Sequence, residues 1–254
     1  PDMKRRRAST GERIATIMTL ARRLPLTRQV LADQLADATP SQMEFMESWM
    51  NAEIESRERS KRSRLLKAAG FPADKELGGY DWTPIRFPVD YGRGQITTLD
   101  FIAGHDDLVL FGPPGTGKTH LAAAIANHLI AQGRPVICMT MIDLLERIKR
   151  TYSATGGSES DVLKIYKTVP LLVIDDMGKE PPTEWAISTI YNIINGRYEA
   201  YLPTIVTTNY DADTLIRRMT TRDTRDDTTA RATIDRLMEM CRAIALTGES
   251  WRQK

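Results

Sequence analysis

The segment of the chain with the clearest chemical meaning is a short run rich in glycine that ends in lysine and threonine. A β-rich run, Leu108 to Phe111, is followed by Gly112-Pro113-Pro114-Gly115-Thr116-Gly117-Lys118-Thr119-His120. Glycines let backbone N–H groups converge on a phosphate, and the start of a helix adds partial positive charge. The pattern therefore predicts that this segment binds ATP, with Lys118 at the β- and γ-phosphates and the Thr119 hydroxyl as a ligand of Mg²⁺.

Two adjacent acids form a second candidate group. Leu171 to Ile174 is a continuous apolar run, typical of a buried strand, and it ends at Asp175 and Asp176. A carboxylate in this position can bind Mg²⁺, and a second one can polarise water. We expect Asp175 to be the metal ligand and Asp176 the general base. The alternative for Asp176 is a solvated carboxylate without a catalytic role.

Three further polar residues are candidates for handling the γ-phosphate. Asn209 follows the β-rich run Thr204 to Thr207, and in a parallel sheet the carboxyl ends of strands share one edge. Asn209 could orient the attacking water there, or it could form an Asx turn. Arg231 and Arg236 lie on a predicted helix, Ala230 to Glu239, from which a cation could reach the γ-phosphate of a neighbouring subunit. The alternative is that both are surface residues.

Short β-rich runs alternate with helical segments over residues 105–254. The alternation predicts an α/β domain with a parallel five-stranded sheet sandwiched by helices. We expect its strands at Leu108 to Phe111, Pro135 to Met139, Leu171 to Ile174, Thr204 to Thr207 and Ala243 to Leu246. The Thr-, Arg- and Asp-rich stretch from Thr220 to Thr233 is predicted to be a solvated loop.

Residues 1–75 are predicted to form a small helical domain, and residues 76–104 an irregular connector. A capping box begins the first helix at Ser9, and Thr39-Pro40 begins a long third helix that Gly70 ends. Its first half is apolar at Met43, Met46, Trp49, Met50 and Ile54. Its second half carries the basic residues Arg57, Arg59, Lys61, Arg62, Arg64 and Lys67.

The charge of the chain is unevenly distributed. The 254 residues have a net charge of +2, yet residues 1–70 hold 14 basic and 9 acidic side chains and the remainder hold 21 and 24. Cys138 and Cys241 do not form a metal-binding pattern, and no apolar run reaches the roughly 20 residues that span a bilayer. We therefore expect a cytoplasmic protein without a membrane partner, whose basic front binds DNA.

Together these motifs resemble the IstB/DnaC branch of the AAA+ ATPases. The resemblance is carried by the glycine-rich segment with His120-Leu121-Ala122, Asp175-Asp176-Met177-Gly178, Arg197-Tyr198, Thr207-Thr208-Asn209, Asp235-Arg236-Leu237 and Gly248-Glu249-Ser250-Trp251-Arg252. It implies an AAA+ fold without a separate C-terminal lid. The resemblance also implies a role for each candidate residue: Lys118 as the phosphate clamp, Thr119 and Asp175 as magnesium ligands, and Asp176 as the base. It further implies Asn209 as the sensor and Arg236 as the arginine finger that acts in trans, with Arg252 as a second arginine candidate.

Within this branch, different segments resemble different members. Glu53 to Pro72 and the Gly248-Glu249-Ser250-Trp251-Arg252 end are similar to IstB helper ATPases of insertion sequences, whereas Asp175 to Trp185 looks more like DnaC-type helicase loaders. IstB proteins usually carry Asp-Glu at the two acids. Because Asp176 is one methylene shorter than that glutamate, slow hydrolysis is expected.

The preferred hypothesis is an ATPase that forms a homo-oligomer on DNA, with ATP at subunit interfaces, and recruits or activates a transposase. Duplex DNA is the preferred ligand and single-stranded DNA a second one. Contacts to DNA phosphates are expected from Arg57, Arg59, Lys61, Arg62 and Arg64. Alternatively, these side chains pair with Glu53, Glu55 and Glu58 along an exposed helix.

Three other functions remain open. The first is a replicative helicase loader with the same ATPase chemistry but a different partner. The second is a small-molecule phosphotransferase, which the tandem acids favour less. The third is a nucleotide switch that hardly hydrolyses ATP. Lys118→Ala is predicted to abolish ATP binding and assembly without unfolding the chain, since Lys118 is expected to be an exposed loop residue.

Overall fold

A computed structural model describes residues 9–70, 75–152, 158–221 and 226–250. The chain divides into two compact units, with the boundary between Ser63 and Arg64. Helix α3 continues through this boundary. Within the described residues, no helix is both long and apolar enough to cross a membrane.

The first unit is helical and consists of α1 (Thr10–Ala21), α2 (Arg28–Ala36) and most of α3 (Pro40–Ala69). The predicted capping box is confirmed, because the Ser9 N–H donates to Glu12 Oε2 at 2.7 Å and the Glu12 N–H donates to Ser9 Oγ at 3.3 Å. Gly70, at φ 79°, ends α3 as expected. The buried core of this unit comprises Ile17, Ala21, Leu24, Leu31, Leu35, Met43, Met50 and Ile54.

Not every apolar residue in the first half of α3 is buried. Trp49 is 48% exposed, as is its neighbour one turn earlier, Phe45, at 71%. Met43, Met50 and Ile54 define the buried face of α3, and Trp49 lies outside it because its position directly before Met50 rotates it about 100° away around the helix.

The second unit is built on a sheet with helices on both faces. Its strands are β1 (Ile85–Arg86), β2 (Asp107–Phe111), β3 (Val136–Thr140), β4 (Leu171–Met177), β5 (Thr204–Thr208) and β6 (Cys241–Leu246). Its helices are α4 (Arg93–Thr98), α5 (Asp100–Ala103), α6 (Lys118–Ala131), α7 (Met141–Arg150), α8 (Glu159–Thr168), α9 (Glu184–Glu199), α10 (Ala212–Met219) and α11 (Thr228–Glu239).

The predicted five-stranded parallel sheet is confirmed, with one small addition. The strand order is β1-β6-β2-β5-β4-β3, and all pairs are parallel except the antiparallel pair of β1 with β6. The five parallel strands lie where the sequence places them, although β6 begins at Cys241, two residues earlier than expected. The two-residue strand β1 was not expected, because the segment around it has no alternating pattern.

Two apolar cores cover the two faces of the sheet. On one face, α6 packs its apolar residues against the sheet, and ten of its fourteen residues are buried. On the other face, α7, α9, α10 and α11 enclose a second cluster that includes Leu172, Ile174 and Val206. Because both faces are covered, the strands are apolar in their middle without alternation, and their polar residues lie towards their ends.

Some local expectations need correction. Helices α8 and α10 were not predicted, and α11 begins at Thr228, inside the stretch expected to be a solvated loop; residues 222–225 of that stretch lie outside the described residues. Residues 76–104, which were predicted to be an irregular connector, contain β1, α4 and α5 and belong to the second unit. Ile85 is buried in the core against which Tyr80, Trp82 and Phe87 also pack.

A buried polar cluster joins β2, α9 and β5. Arg197 is 1% exposed and donates to Thr204 Oγ1 and to the carbonyl oxygens of Tyr166, Val169 and Pro203 at 2.5–3.0 Å. The Thr204 N–H donates to Asp107 Oδ1 at 2.6 Å. Burial raises the pKa of Asp107 to about 7, against the smaller opposing effects of the Thr204 hydrogen bond and the nearby Arg197.

Candidate nucleotide-binding site

The glycine-rich segment lies between a buried strand and the start of the most buried helix. We call residues 112–119 the phosphate loop; it leaves β2 after Phe111 and enters α6 at Lys118. Gly115 and Gly117 have φ values of 82° and 93°, which favour glycine. A Cβ at Gly115 would also clash with Ser250 Oγ, so this turn has no room for a side chain.

Lys118 lies inside the phosphate loop rather than on its surface. It is 6% exposed, and its Nζ donates to the carbonyl oxygens of Gly112 at 2.8 Å and Pro113 at 2.7 Å. The prediction of an exposed loop lysine is therefore wrong. Its ammonium group is held beside the backbone of the same loop whose N–H groups are expected to bind phosphate.

Asp175 is fixed by two threonine hydroxyls from different elements. Thr119, in the first turn of α6, donates to Asp175 Oδ1 and Oδ2 at 2.9 and 3.1 Å, and Thr207 of β5 donates to Oδ1 at 2.5 Å. Asp175 is 8% exposed. The structure thus brings together the two residues that the sequence assigned to Mg²⁺, and it adds Thr207 as a residue that orients the carboxylate.

The donor set of Thr119 and Asp175 fits a magnesium ion. Mg²⁺ binds oxygen ligands, keeps several waters, and in nucleotide sites needs only one or two protein ligands besides phosphate oxygens. A hydroxyl and a carboxylate within hydrogen-bond distance meet that requirement. Among the described residues, no group of three or more His, Cys, Asp or Glu side chains could hold a metal by protein ligands alone.

The backbone of β4 is irregular at Asp176, the second of the two acids. The pairing of β4 with β5 shifts between Ile174 and Met177, and Asp176 adopts φ 59°, an unusual value for a residue other than glycine. Its N–H donates to Thr207 Oγ1 at 2.9 Å. Its carboxylate is partly exposed and pairs with Lys179, with 2.8 Å between Oδ2 and Nζ.

A cavity of about 700 Å³ opens at the phosphate loop. We call it the loop cavity. It brings predicted residues from three parts of the fold together: Lys118 and Thr119 at the start of α6, Asp176 in β4 and Asn209 after β5. Its other lining residues are Glu76, Gly78, Gly79, Tyr80, Asp81, Pro114, Gly115, Gly117, His120 and Lys179.

Asn209 reaches the loop cavity because of the strand order. β5 is hydrogen-bonded to β2 with Phe111 opposite Thr208, so the residue after β5 lies beside the phosphate loop. In the lining of the same cavity, Tyr80 forms an edge contact with His120, with 5.5 Å between ring centroids. Burial raises the pKa of Tyr80 to about 12.

The arginine candidates lie away from the loop cavity. Arg236 on α11 donates to Asn195 Oδ1 at 2.5 Å and lies over the rings of Tyr191 and Tyr198, 5.1 and 5.7 Å from their centroids. Arg231 pairs with Asp227 at 2.7 Å. Neither lines the loop cavity of its own chain, and Arg252 lies outside the described residues.

The basic half of α3 divides into paired and unpaired side chains. Arg57 pairs with Glu53 at 2.6 Å and Arg59 with Glu55 at 3.7 Å, as the alternative of an exposed helix expected, while Glu58 pairs with Arg23. All five candidates for DNA contact are exposed. Within the described ranges, no ion pair forms at Lys61, Arg62 or Arg64.

Two residues that line the loop cavity, Lys179 and Tyr80, and Thr207, which contacts both acids, were not predicted. Lys179 lies three residues beyond Asp176, and nothing in the local pattern distinguishes it from a surface lysine. Tyr80 had a signal, since Gly78-Gly79-Tyr80 was expected to pack on another part of the chain. Thr207 also had one, because it belongs to the Thr-Thr-Asn run that follows a buried strand.

A phosphate loop between a parallel strand and a helix, with acids at the carboxyl end of β4 and an asparagine at that of β5, defines a P-loop protein with the AAA+ fold. The family model described as IstB-like ATP binding protein matches residues 20–254. The chain belongs to this family, and its resemblance to the IstB/DnaC branch is confirmed.

Relatives fall into two groups. The ATP-binding protein assigned to insertion sequence IS5376 of Geobacillus stearothermophilus is 29% identical over 223 residues, which cover 87% of this chain and 85% of the relative. The replicative helicase loader DnaC of Escherichia coli K12 is 35% identical over 109 residues, which cover 43% and 44%. The crystal structure of DnaI is similar with a TM-score of 0.56 and 26% identity, covering 71% of this chain and 94% of that one.

Proposed function

We propose that this protein is the helper ATPase of an insertion sequence, which assembles on duplex DNA with ATP at its subunit interfaces and recruits or activates a transposase. The observation that carries this proposal is the extent of similarity. The similarity to the IS5376 protein spans 87% of this chain, including both units, whereas the similarity to DnaC spans 43%.

The loop cavity supplies the groups that ATP hydrolysis needs. Lys118 and the backbone of the phosphate loop hold the phosphates, and Thr119 with Asp175 hold Mg²⁺, which neutralises phosphate charge when bound. Asp176 accepts the proton of the attacking water, and Asn209 orients that water. Because the Asp176 carboxylate is short and already paired with Lys179, we expect slow hydrolysis that DNA or a partner stimulates.

The position of Arg236 supports an interface between copies. A residue that acts on the ATP of a neighbouring subunit lies outside its own cavity, and Arg236 does so. The contacts with Asn195, Tyr191 and Tyr198 fix its guanidinium on α11. A cation in trans would stabilise the charge that develops on the γ-phosphate, which links ATP binding to assembly.

The basic half of α3 is the surface that we propose for DNA. The side chains of Lys61, Arg62 and Arg64 are exposed, and flexible basic side chains of this kind can contact DNA phosphates. Such contacts carry no sequence information, so binding should tolerate any sequence and weaken with salt.

Electron microscopy of the full chain tests this proposal directly. Duplex and single-stranded DNA of equal length are each mixed with the protein and AMPPNP, ADP or no nucleotide, and Lys118→Ala is the control. We expect regular assemblies on duplex DNA when AMPPNP is present, and none with ADP or without nucleotide. Equal assembly without nucleotide, or by Lys118→Ala, would show that ATP does not couple the subunits.

A second function, loading of a replicative helicase, is supported by one feature. The similarity to DnaC reaches 35% identity over 109 residues, higher than the 29% found with the IS5376 protein. Assemblies on single-stranded DNA but not on duplex would favour this function. A replicative helicase gene beside the gene for this chain would also favour it, whereas a transposase gene there would favour the first.

A further inference from the structure

Lys179 is a cation of the loop cavity to which the proposed chemistry gives no role of its own. Among the described lining residues, Lys118 and Lys179 are the two that carry a full positive charge at neutral pH. Lys118 lies beneath the phosphate loop, bonded to its carbonyl oxygens, whereas Lys179 approaches from the end of β4. The two lysines therefore approach the cavity from different elements.

The ion pair of Lys179 with Asp176 is too exposed to serve stability. The two side chains are 42% and 35% exposed, and pairs of this kind contribute about 0–1 kcal/mol. The turn that brings them together is nevertheless specific. Asp176 has φ 59° and Gly178 has φ 92°, and a Cβ at Gly178 would lie 2.7 Å from Leu215 Cδ2. A strained turn that forms an ion pair of little stabilising value, at the rim of a cavity, indicates a role in binding.

We propose that Lys179 is a second phosphate-binding lysine, which pairs with the Asp176 carboxylate and exchanges that partner for the γ-phosphate of a bound nucleoside triphosphate. This inference rests on the proposed function, since it requires a triphosphate in the loop cavity. The exchange has a chemical consequence for Asp176. Its carboxylate loses the ammonium that neutralises it and is left to accept a proton from water.

The exchange makes Lys179 a residue that distinguishes triphosphate from diphosphate. ADP lacks the γ-phosphate, so it leaves the ion pair with Asp176 intact. ATP offers Lys179 a phosphate oxygen with more charge than a carboxylate oxygen, and charge-assisted hydrogen bonds of this type are the strong ones. Lys179 therefore contributes to the affinity for ATP and not to that for ADP.

Nucleotide titrations of Lys179 variants test this inference without relying on turnover. Dissociation constants for AMPPNP and ADP are measured with Mg²⁺ for the full-length wild type, Lys179→Ala, Lys179→Gln and Lys179→Arg. Lys164→Ala is the matched control, an exposed lysine on α8 that does not line the loop cavity. Thermal melts of each variant confirm folding.

The alanine and glutamine variants are expected to weaken AMPPNP binding about tenfold and ADP binding less than twofold. The arginine variant should stay within about threefold of wild type for both nucleotides, and Lys164→Ala should match wild type. An equal loss for AMPPNP and ADP, or no loss for either, would overturn the inference. Failure of the wild type to bind AMPPNP at all would instead contradict the proposed function.

A second background separates direct contact from simple neutralisation of Asp176. In Asp176→Asn there is no carboxylate to neutralise, so a lysine that acts only on Asp176 loses its effect. If Lys179 binds the γ-phosphate, Lys179→Ala should still weaken AMPPNP binding about tenfold in the Asp176→Asn background. Absence of that loss would assign Lys179 to Asp176 alone and overturn the inference.

Discussion

The charged groups of the sheet unit and those of helix α3 differ in how the fold holds them. Around the phosphate loop and behind the sheet, Lys118, Asp175 and Arg197 are at least nine-tenths buried. Lys118 is bound by carbonyl oxygens of its own loop, whereas Asp175 and Arg197 are bound by groups about 30 residues away. On the basic half of α3, the five basic side chains from Arg57 to Arg64 are exposed. Two of them, Arg57 and Arg59, pair with a glutamate four positions away.

This difference separates two kinds of function. A buried charge is costly to remove because its partners lose their hydrogen bonds, and its position is fixed well enough for chemistry. Removing an exposed charge costs little folding stability. Its side chain can change position, and salt screens its electrostatic interactions. The sheet unit suits ATP, and α3 suits a repeating polyanion.

The largest loss of stability is expected for Arg197→Ala, in which a buried charge of the sheet unit is removed. Loss of the guanidinium leaves the carbonyl oxygens of Tyr166, Val169 and Pro203 without this donor, so the free energy of unfolding should fall by about 3–5 kcal/mol. The exposed Arg59→Ala should change it by less than about 0.5 kcal/mol. Urea unfolding measures both changes in unfolding free energy. Similar losses in the two variants would contradict the difference between the sheet unit and α3.

Lys118→Ala is expected to weaken ATP binding at least about 100-fold, or ~2.7 kcal/mol. The variant should still fold but lose about 1 kcal/mol of stability, because the carbonyl oxygens of Gly112 and Pro113 lose a donor. Calorimetric titration and thermal melts give the two values, with Lys164→Ala as the exposed control. If Lys118→Ala binds ATP with wild-type affinity, Lys118 does not contribute to nucleotide binding.

The pH dependence of stability should reveal the buried Asp107. Burial raises its pKa to about 7 in the folded protein, while the unfolded chain releases the same proton near pH 4. The folded state therefore binds more protons between these values, and its contribution to the unfolding free energy falls by about 1.4 kcal/mol per unit as pH rises from ~4 to ~7. Urea unfolding across this range should show a flatter dependence for Asp107→Asn; parallel curves would contradict the shift.

The smallest effects are expected on α3. Replacing Lys61, Arg62 and Arg64 together by alanine should reduce duplex affinity about tenfold and lower the slope of log affinity against log salt by about 3. Arg57→Ala with Arg59→Ala should have a weaker effect, because these two are already paired with glutamates. Fluorescence anisotropy at several salt concentrations measures the slopes. An unchanged slope in the triple variant would place DNA binding elsewhere.

The sequence predicts the sheet well because its signal is local. Buried parallel strands are continuous apolar runs, such as Leu171 to Ile174, and each is separated from the next by a helical pattern. The phosphate loop is likewise a local pattern. Helix α8 was missed because its buried side is short, with Tyr166 as its buried residue and Val162 and Leu163 partly buried.

The missing parts of the site depend on contacts between distant residues. At Asp176 the pairing of β4 with β5 is irregular, and the Asp176 N–H donates to Thr207 Oγ1, 31 residues away. Tyr80 reaches the loop cavity from 37 residues before Gly117, and a Cβ at that glycine would lie 3.4 Å from its hydroxyl. A local pattern does not encode such pairings, because they depend on the packing of the whole unit.

The central claim is that the phosphate loop holds a triphosphate whose metal lies between Thr119 and Asp175. A structure of the full chain determined with saturating Mg²⁺ and AMPPNP tests it most directly. We expect density for three phosphates along Gly115 to Thr119, and for a metal ion bound by the Thr119 hydroxyl and near the Asp175 carboxylate. Nucleotide density elsewhere, or a phosphate loop without phosphates at saturation, would contradict the account.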